Sequence, residues 1–413
     1  MSSAPLPIRP SLAILVLCSA VQPFALNVLA PATPAIARSL GTDYGTIQLT
    51  LTLYLAAVAL SQLVVGPLSD RIGRRPCIIA GLGLFAVGSI VGLLSGNLVV
   101  LLLARMLQAV GAGTAFALTR AIARDMGDKD EAASILGYVT MAMVVAPMLA
   151  PLVGGFIEKT QGWRTIFALM ALVGVVATLG ALMKLPETLK RTGPPASVMD
   201  TFRAFPMLMR ERAFVINSAI LTLTSATFFS FIAGAPYAVV EHMKAGPDVY
   251  GAFFVIMAGS YMMGNFLTGR FSQRIGAARM IPLGIALSMA AVGFASLMPF
   301  VTTWAPALLF VPLMLNGIGN GLTMPSATAS ALSVRPDLAG AAAGLNGFLQ
   351  LSVGSAVAFA SGVLTPLWPP AFLIIMLAAT AGSFVLAFGG RSWRADRLAS
   401  RSGITRRRTG VGG

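Results

Sequence analysis

The chain has few groups that could make or break bonds: fourteen Asp and Glu, one histidine and two cysteines in 413 residues. They form no Ser/His/Asp set, no H-E-x-x-H pair and no P-loop, so neither catalysis nor direct use of ATP is expected. Cys18 and Cys77 have no spacing for a metal or a disulfide framework, and neither a metal nor a cofactor is expected. His242 adjoins Glu241, where it could respond to pH, although a solvated loop position explains it as well. Two features remain. One is "GPLSDRIGRRP", residues 66–76, a charge cluster between apolar runs. The other is Arg105, the only charge well inside such a run. An arginine keeps its charge and five N–H donors, so at that depth it must face a wet cavity or a buried partner, unless it snorkels to the surface. This is the chemistry of binding and conducting a solute.

The elements that position these residues follow from composition. Charged residues are 10% of the chain, apolar ones 56%, and mean hydropathy is +0.83. A soluble domain needs more charge than that. Twelve apolar runs are long enough to cross a bilayer as helices: 11–37, 46–66, 76–95, 98–122, 134–157, 164–184, 213–240, 249–269, 279–299, 304–331, 340–364 and 370–390. The expected fold is an all-α polytopic membrane protein, since the alternating strands of a β-barrel are not seen. With the N-terminus inside, 24 of the 29 Lys and Arg fall on the inner side, which puts both termini in the cytoplasm. The net charge of +15 then reflects topology and contact with lipid headgroups, not nucleic acid. The first run is too long for a signal peptide and is expected to be an uncleaved helix.

Residues 185–212 form the longest polar stretch between runs, with Pro194–Pro195 and mixed charges. They divide the chain into a first six-helix unit, 1–184, a linker, 185–212, a second unit, 213–390, and a basic tail, 391–413. Within the linker, "FRAFPMLMR" suits a short helix lying on the membrane surface. The charge cluster returns in loose form as "GRFSQRIGAAR". At an offset of 203, Gly66, Ser69, Arg71, Ile72 and Gly73 fall on Gly269, Ser272, Arg274, Ile275 and Gly276, while Gln273 and Ala277 replace Asp70 and Arg74. A fainter echo joins "QAVGAG" at 108–113 to "NGIGNG" at 316–321. Two related halves suit a transporter with its substrate site between them near mid-membrane.

These residues resemble the major facilitator superfamily over nearly the whole chain. "GPLSDRIGRRP" is similar to its signature loop between helices 2 and 3. "RMLQAVGAG", from Arg105, resembles the helix 4 motif of the drug:proton antiporter branch. Gly137, Pro147, Pro151, Gly154 and Gly155 fall within its helix 5 antiporter motif, with Ala146 and Ala150 at two usual glycines. "APATPAIARSLG" and "RAIARD" look like the Bcr/CflA-type efflux subgroup. The resemblance implies twelve helices in two pseudo-symmetric bundles. It also implies an inner latch of Gly66, Asp70, Arg71, Gly73, Arg74 and Asp125, in which Asp70 faces the start of helix 11 near Gly340 and Arg74 pairs with Asp125. The latch would close the cytoplasmic side and break when that side opens. The glycine–proline pattern of helix 5 would bend it and let a neighbour pack close.

In one respect the chain departs from the subgroup: Asn27 stands where an aspartate is usual on helix 1. An amide cannot carry a proton, although it can hydrogen-bond Arg105 or a ligand. Coupling could then use Asp43, Glu241 or Asp70, act through a charged substrate, or be absent. Gln48, Tyr54, Gln108, Tyr237, Asn265, Asn316, Asn320, Asn346 and Gln350 are further candidates for the pathway. With 23 Phe and 21 Met, they suit an adaptable site for a neutral or weakly anionic amphiphile. The expected function is export of small drug-like or metabolite molecules across the bacterial inner membrane by alternating access, in exchange for protons. The expected partners are therefore the small-molecule substrate, protons and the lipid bilayer, and the expected state is a monomer. The alternative is an uptake or uncoupled facilitator protein for one solute.

Overall fold

The computed structural model describes residues 11–125, 129–189 and 198–406, without the side chains of 124–125, 129–136, 198–202, 273, 277 and 390–406. Among these residues, twelve helices are long and apolar enough to cross a membrane. They are α1 (Leu12–Ser39), α2 (Tyr44–Ile72), α3 (Arg74–Leu93), α4 (Leu98–Ala123), α5 (Gly137–Gln161) and α6 (Trp163–Lys184). The second set is α7 (Arg212–His242), α8 (Pro247–Ser272), α9 (Ala278–Val301), α10 (Pro306–Leu332), α11 (Pro336–Leu367) and α12 (Ala371–Gly389). Several run past the apolar runs of the sequence, because backbone hydrogen bonding continues where hydropathy has already fallen. At about 1.5 Å per residue, the 28 residues of α1 reach beyond a hydrocarbon slab of roughly 30 Å.

One packing scheme is used twice. In the first six helices α3 packs on α4 and α6, α2 on α4, and α1 on α4, α5 and α6. In the second six α9 packs on α10 and α12, α8 on α10, and α7 on α10, α11 and α12. Adding six to each number in the first set reproduces the second. The turns agree. Both the α2–α3 and α8–α9 hairpins pivot on a glycine with positive φ, Gly73 at 119° and Gly276 at 84°, a conformation that favours glycine. The fainter echo between helices 4 and 10 also has a physical counterpart. A methyl group on Gly111 would strike the carbonyl of Gly81, and one on Gly319 the carbonyl of Gly284. Each glycine lets its helix press backbone to backbone on the preceding span, as small residues do inside membranes.

The two six-helix bundles meet along two seams, α2 against α11 and α5 against α8, which the same symmetry exchanges. Loops after odd-numbered helices lie on one face, here the odd face, and loops after even-numbered helices on the other, the even face. Between the bundles, helix Val198–Arg210 packs on α7, α11 and α2. Ala204 and Leu208 are buried, while Met207 and Met209 are exposed. The basic tail beyond Arg406, linker residues 190–197, Arg9 and the side chains of Asp125, Gln273 and Ala277 lie outside the described residues.

Candidate functional site

Arg105 is 1% exposed, so it does not snorkel. Its position depends on how α1 ends. Regular helix stops at Asn27, a 3-10 turn follows over Ala30–Ala32, and Thr33 restarts the helix. Carbonyls in the last turn before such a break lack helical partners. The Ala25 carbonyl accepts from both Nη1 and Nη2 of Arg105 at 3.2 Å. Nη1 also donates to Gln108 Oε1 at 2.8 Å, and Gln108 Nε2 donates to Ser89 Oγ at 2.8 Å. The guanidinium lies 4.1 Å from the centre of the Tyr54 ring, a cation–π contact in a dry setting. Tyr54 in turn donates to the Gln22 carbonyl at 3.3 Å. One fixed positive charge is thus held by neutral dipoles from α1, α2 and α4. Asn27 lies nearby in sequence to Ala25 but bonds its own helix, Nδ2 to the Pro23 carbonyl at 2.7 Å. Its Oδ1 and the Arg105 Nε are buried without partners, so the expected Asn27–Arg105 bond is not made.

The seams are closed at the odd face. Arg38 of α1 pairs with Glu241 of α7, and Lys159 of α5 with Asp248 of α8 at 2.8 Å. The Tyr44 hydroxyl donates to the Ala233 carbonyl at 2.7 Å, and Ser355 Oγ to the Thr52 carbonyl at 2.9 Å. Glycines let the backbones meet. A side chain on Gly155 would collide with the Pro247 carbonyl, and one on Gly251 would lie 2.5 Å from the Pro151 carbonyl. Gly154, one residue earlier, abuts the Val28 carbonyl of α1. Adjacent glycines of α5 therefore serve two contacts, one within the first bundle and one between bundles. Pro147 and Pro151 both lie inside that helix. On the other seam Gln48 fills the space above Gly362, and Tyr44 packs on Tyr237 with ring centres 4.8 Å apart. Asp43 caps the start of α2 by accepting from Thr46 N at 2.8 Å. The hydrogen bonds from Thr46 hold its carboxyl below the usual carboxylate range, so it stays ionised and is poorly suited to carry a proton. His242 packs edge-on against Trp304, 5.1 Å between ring centres.

The even face is built differently. Asp70 pairs with Arg74 of its own hairpin at 2.7 Å, and Arg74 also reaches Ser69. Methyl groups built on Gly66 or Gly340 would meet nothing within 4 Å. Arg71 is exposed, and Gly137 has open space around it. The residue that sequence reasoning missed is Glu187. Its carboxylate accepts from the backbone N–H of Arg74 at 2.9 Å and of Arg75 at 3.1 Å, the exposed N-terminus of α3. Gly73 has no side chain because Glu187 occupies that space. The only signal was an acid three residues after a span, in "KLPET", which the polar linker concealed.

The polar candidates fall in three places. Arg105, Tyr54, Gln108 and Asn27 lie in the core of the first bundle, and Gln48 and Tyr237 in the odd-face seam. In the second bundle Asn320 engages Ser288 and Thr227, Gln350 accepts from Ser225 at 2.8 Å, and Asn265 bonds its own helix. Asn346 and Asn316 are buried there too, with both polar side-chain atoms of Asn346 and the Asn316 Oδ1 unpartnered.

Residues 15–359 match the model of the Major Facilitator Superfamily. An uncharacterized MFS-type transporter of Bacillus subtilis, YdgK, is 30% identical over 374 residues, covering 89% of this chain and 92% of its own. Multidrug resistance protein D of Escherichia coli is 27% identical over 359 residues, 86% of this chain and 89% of its own. The crystal structure of a bacterial homologue of the human lysosomal transporter Spinster, inward-facing and unoccupied, superposes with a TM-score of 0.71 at 15% identity, covering 91% of this chain and 96% of that one. By sequence, by packing and by the repeated hairpin, the chain belongs to the Major Facilitator Superfamily.

Proposed function

We propose that this protein is a secondary active transporter that exports small drug-like or metabolite molecules across the bacterial inner membrane by alternating access. The units of the mechanism are residues 1–184 and 213–390, joined by 185–212. The observation that carries the reading is the pair Gly154–Gly155. Gly155 abuts the Pro247 carbonyl of the second bundle and Gly154 the Val28 carbonyl of α1, which supports reading the antiporter-type motif of α5 as part of the contact that opens and closes. Similarity to a multidrug resistance protein along most of the chain supports the same reading. The positive-inside pattern makes the even face cytoplasmic, so the closed odd-face seams correspond to an arrangement open to the cytoplasm.

The substrate suited to this interior is neutral or weakly anionic. A strongly cationic drug would be repelled by Arg105, because the acids of the chain fall in loops or at the edges of spans and none lies beside it. Asn27 favours a second reading, an uncoupled facilitator, because it removes the titratable group from α1. Two measurements separate the readings. Producing cells should accumulate less of some member of a panel of dyes and antibiotics than cells without the gene; equal or higher accumulation throughout contradicts export. In proteoliposomes an imposed pH gradient should accelerate substrate movement. Rates indifferent to that gradient would establish the facilitator.

A further inference from the structure

Gly154 and Gly155 turn in different directions, one to the Val28 carbonyl of α1 and the other to the Pro247 carbonyl of α8. In a helix the residue four places on lies over the same face. Glu158 therefore follows Gly154 toward α1, and Lys159 follows Gly155 toward α8. The charges agree. Lys159 bonds Asp248 of α8 at 2.8 Å, and the charge acting on Glu158 is Arg38 of α1. Arg38, however, makes its bond across the seam, to Glu241 of α7. Three acids, Glu158, Glu241 and Asp248, thus share two bases, and Glu158 is left over. Its Oε2 is buried without a partner. Among the described residues it is the one acid whose side chain makes neither an ion pair nor a hydrogen bond. The other charges at this end are engaged or exposed. Arg164, at the start of α6, donates to the Ser95 carbonyl at 3.1 Å. His242 packs on Trp304, and Lys244 is exposed. Of the remaining helix packed on α5, α4 brings no charge to the odd end, since Arg105 lies about 10 Å deeper.

A carboxylate oxygen sealed from water without a donor is costly, and a bound proton removes the charge that makes it so. Opening the odd face changes both conditions. It parts α1 from α7, so Arg38 loses Glu241 and remains with Glu158 on the first bundle, where water can enter. The ionised carboxylate therefore belongs to the open seam and the neutral acid to the closed one. We propose that Glu158 takes up a proton from the odd side as that seam closes. The proposal rests on the alternating-access reading, and it supplies the titratable group that Asn27 leaves out of α1. The step is a protonation of the carboxylate by the medium, with no bond of the chain broken. Linkage is reciprocal, so acid on the odd side favours the closed seam. An exporter that has released its solute outside is then returned to the even-open arrangement by an outside proton.

The test uses the full-length protein in lipid nanodiscs without substrate, with Cys18 and Cys77 replaced by serine and spin labels on the odd face at Gly96 and Thr303. Between roughly pH 8 and pH 6 the ratio of closed to open populations should rise about three- to tenfold, as one proton allows. Glu158→Gln imitates the neutral acid. Its seam should stay closed throughout, with a change below about 1.5-fold over the same range. His242 is the only histidine and is the other group whose ordinary titration falls in this range, so His242→Gln should keep the wild-type response. A response that survives in Glu158→Gln, or one that disappears in His242→Gln, overturns the proposal. So does a wild-type closed fraction that does not change with pH. If the glutamine variant does not fold, Glu158→Ala takes its place and should be equally indifferent to pH; a wild-type response in that variant is again contrary. These distances are read without any solute. A failed dye-efflux assay would leave them standing, and a failed titration would leave efflux standing.

Discussion

The odd and even faces of this transporter use the same residue types in opposite ways. At the odd face, backbones from the two bundles touch where glycine removes the side chain, as at Gly155 on Pro247 and Gly251 on Pro151, and charges sit at the rim. At the even face Asp70 pairs with Arg74 on its own hairpin, Glu187 of the linker caps α3, Arg335 pairs with Asp337 of its own loop, and a methyl group on Gly66 or Gly340 would meet no neighbour within 4 Å. The lesson is that glycine, not charge, is what seals a seam. Close backbone contact excludes water and maximises dispersion, whereas an exposed ion pair contributes only about 0–1 kcal/mol.

That ranking can be broken by substitution. The largest effect is expected from Gly155→Leu, which places a side chain where the Pro247 carbonyl now lies. Overpacking of about 1–3 kcal/mol against the closed odd face would shift the conformational balance by roughly 5- to 150-fold. Transport should fall at least tenfold, and a cysteine placed in the seam should become reactive to a reagent added from the odd side. Unchanged reactivity would mean that this glycine does not govern closure.

Asp70→Asn should act on the other face and more weakly. It removes the charge of one partner of Arg74, whose side chain is 11% exposed, so the loss exceeds that of a fully hydrated pair. If Asp70 also docks on α11 when the even face closes, the substitution favours the arrangement described here. Cytoplasmic cysteine labelling should then rise about three- to tenfold. Labelling that stays at the wild-type level removes the latch from the mechanism.

The smallest effect belongs to Arg38→Gln. Arg38 is 60% exposed, so the loss of its bond to Glu241 should change transport by no more than about twofold. Raising salt from 0.05 to 0.5 M should erase the difference. A tenfold loss that persists at high salt would show that rim charge matters more than backbone contact.

Much of this was legible in the residues. Span number, the paired hairpins and the intramembrane Arg105 follow from hydropathy and spacing, because a bilayer allows only helices of a certain length and punishes a lone charge. The partner of Arg105 was not legible. It is the main-chain carbonyl of Ala25, which becomes available only because α1 breaks after Asn27. Which face is shut was equally hidden, since Arg38 and Glu241 are 203 residues apart and nothing local in either requires the other. Glu187 was hidden for a simpler reason: an acid in a polar linker looks solvated until the helix N-terminus it caps is placed beside it.

The central claim is that the two seams open and close in opposition, and paired spin labels test it most directly. With Cys18 and Cys77 replaced by serine, one pair is placed on the odd face at Gly96 and Thr303, and another on the even face at Ile72 and Ile275. Distances are then measured by electron–electron resonance across a range of pH and in the presence of a transported dye. Any condition that lengthens the odd-face distance should shorten the even-face distance, and Gly155→Leu should push the populations the same way. Two distances that lengthen together, or an odd-face pair that never moves while transport proceeds, would contradict alternating access about these seams.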